Sequence, residues 1–134
     1  MLRTILAVLA GLITAIAVIA GLELIGMTLF PLPPGTPLAT EADLAALVAA
    51  ASTGKKIWVV AGWALGSFAG AWVAAKLARQ RALPAALAVA LFIVAGTVMN
   101  AVSLPHPVWM NALGIALPLP LAWLAARLAR PRRQ

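Results

Sequence analysis

"WVVAGWALGSFAGAWVAAKLARQR", residues 58–81, decides how this chain folds. It carries no charge until Lys76 and then ends in Lys76, Arg79 and Arg81. Within it Gly62, Gly66, Gly70 and Ala74 recur every fourth position. A helix turns once in about 3.6 residues, so these small residues form a stripe along one face. Such a stripe in an apolar helix lets a second backbone approach closely. The pattern leaves open whether the partner helix belongs to the same chain or to a second subunit. Trp63 and Trp72 flank the stripe and read as packing or lipid-facing residues rather than a ligand platform.

The rest of the chain has the same character. Of its 134 residues, 64% are hydrophobic and 10% charged, with a mean hydropathy of +1.05. Soluble domains are about 45–50% apolar and about 25% charged, so the composition indicates an integral membrane protein. There is no cysteine, which excludes disulfides, thiol redox chemistry and zinc–thiolate sites. A formal charge of +7 and a pI near 11.9 raise the question of nucleic acid. The basic residues, however, sit beside apolar segments rather than in a groove interleaved with aromatics, and so read as membrane anchors.

Crossing a hydrocarbon core takes about 20 helical residues, and four stretches qualify, near residues 4–30, 57–78, 84–104 and 107–128. Arg3 before an apolar run resembles a signal peptide, but the run exceeds the usual length of about 7–15 residues, and a retained helix is expected. The expectation is an all-α, polytopic single domain over 1–134, a bundle of four transmembrane helices with an outer segment at 31–56. Eight basic residues (Arg3, Lys76, Arg79, Arg81, Arg127, Arg130, Arg132, Arg133) fall on one side and two, Lys55 and Lys56, on the other. The positive-inside rule then places both termini in the cytoplasm. Trp58 and Trp109 fall at the outer interface and Trp123 near the inner one.

In the outer segment, "PLPPGTP" (31–37) is too rich in proline to continue a helix. Thr40 with Asp43 three residues on makes a capping-box start, and Gly54 a stop. Leu44, Leu47, Val48 and Ala51 share a face, which indicates a short helix lying on the outer surface or plugging the bundle mouth.

One acid lies inside a span. Glu23, in "GLELIGMTLF" (21–30), sits about seven residues past the midpoint of the first span, roughly 10 Å toward the outer side at about 1.5 Å per residue. At that depth the third span ends in Thr97, Asn100 and Ser103 and the fourth begins with His106, Pro107 and Asn111. Glu23, Asn100, His106 and Asn111 are therefore the candidate ligand-binding residues. A charge facing lipid costs about 2.5–3.5 kcal/mol on insertion scales at a helix centre, so Glu23 should turn inward. The expected partner is the start of the fourth span, whose free N–H groups attract a carboxylate. The layer reads as a site for a small solute, cation or proton, or as a polar staple between helices. One histidine and one acid make a poor metal site, and no metal or cofactor is expected.

In the fourth span, Pro118 and Pro120 remove hydrogen bonds to Gly114 and Ala116, so a kink is expected near mid-membrane. Carbonyls freed there can line a cavity, as in transporters, although such kinks are ordinary in membrane helices.

Three functional classes follow. The first is transport or solute binding. Small multidrug-resistance exporters invite comparison through size and the acid in the first helix. They lack the segment Pro31–Lys56, and the charge bias forbids the dual insertion some of them use. The second is a structural, assembly or lipid-interacting subunit, its basic inner rim and "RLARPRRQ" tail (127–134) attracting anionic lipid. Any homo-oligomer should be parallel. The third, an enzyme, would have to rest on Glu23 and His106, since there is no tyrosine or cysteine. The arginine and tyrosine motifs of glutathione-using four-helix membrane enzymes are missing, and no enzymatic activity is expected. Taken together, "GLELIGMTLFPLPP" (21–34), "GWALGSFAGAWVAAKLA" (62–78) and "SLPHPVWMNALGIALPLPLAWLAARLA" (103–129) resemble a recurring type of small four-helix bacterial inner-membrane protein without an assigned function. The resemblance implies a bacterial inner-membrane location and no chemistry.

Overall fold

Small residues at every fourth position leave the backbone of the second span bare along one face, and the first span fills it. The computed structural model describes residues 1–129. Among these the regular structure is helical, without a strand: α1 (Leu2–Leu29), α2 (Glu41–Ala50), α3 (Thr53–Ala78), a 3-10 turn (Arg79–Arg81), α4 (Ala82–Ser103), α5 (Val108–Ala116) and α6 (Pro118–Ala129). Three stretches are long and apolar enough to cross a membrane: Leu2–Leu29, Thr53–Ser103 and Val108–Ala129. Straight, the 51 residues of the middle stretch would run roughly 75 Å, against a hydrocarbon core of about 30 Å. The chain instead doubles back at Arg79, where φ is +52°, and α3 packs alongside α4.

Contacts of Arg3 with Leu77, Gly11 with Gly70, and Gly26 with Lys55 and Trp58 show that α1 and α3 run antiparallel along their length. A Cβ added to Gly70 would lie 2.5 Å from the Gly11 carbonyl oxygen, and one on Gly11 would lie 2.8 Å from the Ala74 Cβ. At Gly66 it would meet Ile19 at 2.5 Å, while at Gly62 it would clear Leu22 by 3.8 Å. The stripe thus faces α1 of the same chain.

A second seam joins α3, α4 and α6 through Ala71, Ala75, Ala86, Ala90, Ala122 and Ala126, all fully buried. Ala7, Ala15, Ala85 and Val89 extend the first seam to α4. Large residues point outward instead: Ile13 is 69% exposed and Met99 71%. This inversion suits lipid, where apolar side chains gain nothing by hiding and close backbone packing does the holding. α1 and the α5–α6 segment flank the α3–α4 pair on separate sides.

Two local expectations need correction, those for Gly54 and Pro107. Gly54 does not stop α2, which ends at Ala50; it lies in the first turn of α3, because the Ser52 hydroxyl accepts the Lys55 backbone N–H at 3.2 Å and starts that helix early. At the two prolines of the last apolar stretch α5 ends at Ala116 and α6 begins at Pro118, but Leu117 between them keeps helical dihedrals, and the Leu117 N–H to Leu113 and Leu121 N–H to Leu117 bonds carry the ladder across. Pro107 is the N-cap of α5, not part of its first turn. The capping box on α2 is present, with the Thr40 hydroxyl accepting from the Asp43 N–H at 3.1 Å and the Asp43 carboxylate from the Thr40 N–H at 3.0 Å. No residue of α2 is buried, and it packs extensively on no other helix.

Candidate functional site

The early start of α3 decides where Glu23 goes. With Lys55 in the first helical turn and α1 antiparallel, the lysine side chain crosses α1 at Gly26, where an added Cβ would lie 2.8 Å from Nζ. One turn back along α1 it meets Glu23, Nζ to Oε2, at 3.4 Å. Beside it Trp58 Nε1 donates to the Leu22 carbonyl at 2.8 Å. Glu23 therefore pairs with α3 and not with the start of the last helical segment. The physical reason is that α1 lies against α3 and makes no extensive contact with α5. The pair is long and its Glu23 side chain 43% exposed, the geometry of a partly exposed ion pair rather than a buried staple.

Around this pair lies a cavity of about 270 Å³. Its polar wall is Glu23 from α1, Lys55 and Lys56 from α3, Asn100 from α4 and His106 from the α4–α5 loop; Leu47, Val48 and Ala51 border it from α2 and its C-terminal end. Lys56 Nζ donates to the Ala49 carbonyl at 3.4 Å. The His106 ring meets Trp63 edge-on, 5.9 Å between centroids, and its Nδ1 is buried without a hydrogen-bond partner among the described residues. Burial pushes the imidazole below its ordinary range, the Leu104 backbone pulls the other way, and the Lys56 charge lowers it further. It is the neutral form that lines the cavity near neutral pH.

Three of the four candidate residues, Glu23, Asn100 and His106, thus share one cavity, and Asn111 does not. Its Oδ1 is buried and unpartnered among the described residues. Thr97 is buried too, its hydroxyl turned back to the Ile93 carbonyl of its own helix at 3.0 Å. Gly114 packs against Thr97 and Trp63, and neither Gly114 nor Ala116, the residues four before Pro118 and Pro120, lines this cavity. No group of three or more metal-binding side chains occurs among the described residues.

Sequence reasoning passed over a second cavity. An apolar crevice of about 420 Å³ opens between α1 and α4, walled by Leu12, Ile16 and Ile19 on one side and Phe92, Ile93 and Gly96 on the other. Trp63 and Asn100 border both spaces. The sequence carries no signal for it: a Cβ at Gly96 would meet nothing within 4 Å, whereas the glycines facing α1 are in close contact, and only the structure separates the two. No protein family, curated protein or solved structure matches the chain.

Proposed function

We propose that the chain is a small multi-pass protein of a bacterial inner membrane whose four long helical segments, α1, α3, α4 and α5–α6, each cross the bilayer as a bundle, with α2 at the outer surface. The excess of basic residues at one end supports cytoplasmic termini. Arg3 donates there to the Leu77 carbonyl at 2.8 Å, and Arg127 stacks on Trp123 at 3.9 Å. Arg130, Arg132 and Arg133 of the same basic rim, read as attracting anionic lipid, lie outside the described residues. A parallel homo-oligomer would have to form through the lipid-facing surfaces, since α1 covers the glycine stripe.

The proposed activity is binding of a small solute in an outward-facing cavity. The observation that carries it is the convergence of Glu23, Lys55, Lys56, Asn100 and His106 from four parts of the chain on one space. Toward the other end the helices meet through fully buried alanines, which favours a binding site over a conduit. The apolar crevice favours lipid as a second class of ligand for a non-transporting subunit.

The absence of cysteine makes the test direct. In intact spheroplasts, Asn100→Cys should react with a membrane-impermeant maleimide and Ala90→Cys, in the alanine core, should not. Labelling of Asn100→Cys from the cytoplasmic side alone removes the outward-facing cavity.

A further inference from the structure

We infer that the occupant of the outward-facing site is a phospholipid of the outer leaflet with an anionic headgroup, its phosphate held by Lys55 and Lys56 and one acyl chain lying in the crevice between α1 and α4. This deepens the binding reading above and rests on it.

The two cavities adjoin, sharing Trp63 and Asn100 as walls, so a polar space lies beside an apolar one. From Asn100 down to Phe92 the crevice runs eight residues along α4, about 12 Å at 1.5 Å per residue. That is most of one leaflet's half of a hydrocarbon core of about 30 Å. Its walls open sideways to lipid: Ile16 and Phe92 are each 62% exposed. A water-soluble ligand would use the polar end and leave the rest to the bilayer. A lipid fills both and needs no route through water to reach them.

Charge selects the headgroup. Two ammonium groups and one carboxylate line the polar end. Lys55 is engaged with Glu23, whereas Lys56 has only a long bond to a neutral carbonyl at 3.4 Å and keeps N–H donors to spare. His106 adds no charge. Of the other acids, Asp43 is engaged in the α2 cap, and Glu41 lines an adjoining groove rather than the cavity that holds the two lysines. The surplus is positive, and a phosphodiester matches it.

The test uses the detergent-purified full chain with dioleoyl phosphatidylglycerol or dioleoyl phosphatidylcholine, identical in chains and different in head, and native mass spectrometry to count retained lipid. Wild type should retain phosphatidylglycerol about fivefold better, the preference expected of one lysine–headgroup interaction, and Lys56→Gln should erase that preference. Gly96→Phe, whose Cβ would meet nothing within 4 Å, places a ring in the crevice and should lower retention of both lipids. Gly21→Phe, also in open space but on neither cavity, should not. Equal retention of the two lipids by wild type, or equal behaviour of the two glycine variants, overturns the inference. If glycerol 3-phosphate instead protects Asn100→Cys from labelling while Gly96→Phe keeps its lipid, the solute site stands and the lipid falls. Failure of Asn100→Cys to react with the maleimide in delipidated detergent solution removes the underlying site itself. A dimer that disappears in Gly96→Phe would show that a second copy fills the crevice, and also overturns the inference.

Discussion

Gly70 and Gly96 are the same residue in the same kind of helix and have opposite surroundings. Where α1 crosses α3, a Cβ at Gly70 would lie 2.5 Å from a carbonyl oxygen; beside the crevice, one at Gly96 would meet nothing within 4 Å. The end of the molecule that holds Arg3 and Arg79 is closed by glycine and alanine packed closely, and the end that holds Glu23 and His106 carries the polar cavity and the crevice. Absence of a side chain thus serves contact in one half and vacancy in the other, and only the position of the neighbouring helix separates the two.

The largest effect should come from the closed half. Gly70→Val places atoms against the α1 backbone, which cannot yield by rotating a side chain, and should cost about 3 kcal/mol or more. Unfolding in detergent would read it; an unchanged melting temperature would mean that the crossing is not where it is placed here. Next, Trp58→Phe removes the donor to the Leu22 carbonyl and should cost about 1 kcal/mol, measured the same way. Gly96→Ala carries the opposite sign. In open space the added methyl relieves the entropic penalty of a helical glycine and should stabilise by about 0.5–1 kcal/mol. Destabilisation there would show the crevice to be filled in the protein alone.

Smaller still is a pH effect at His106. Burial holds His106 below its ordinary value of 6.5, so on acidification the unfolded chain takes up this proton first. Its contribution to stability is full above about 6.5 and is lost as pH falls from there through the folded-state value. His106→Gln should flatten that part of the melting-temperature profile, and an unaltered slope would assign the effect elsewhere.

What was legible in the sequence follows the same division. The stripe at Gly62, Gly66, Gly70 and Ala74 is a local periodicity, and so is the Thr40–Asp43 box; each can be read without knowing a partner. Depth along a span is legible too, which is why Glu23, Asn100 and His106 could be grouped from far-apart positions. The partner of Glu23 was not. It depends on the register of α1 against α3, set by the Gly11–Gly70 crossing, and on a helix start moved upstream by the Ser52 cap. Asn111 shares the depth of the other three and still misses the cavity, because depth says nothing about which way a helix is rotated. The crevice was equally hidden, since it arises from how far α1 and α4 diverge.

The central claim is that the Glu23 layer is an open binding site and not a structural staple, and the thermal unfolding of Glu23→Leu beside wild type in detergent tests it most directly. A long, partly exposed ion pair contributes little, so the account predicts a difference of no more than about 1 kcal/mol. A loss of several kcal/mol, or failure to fold, would make the acid a staple between α1 and α3 and contradict the binding site built around it.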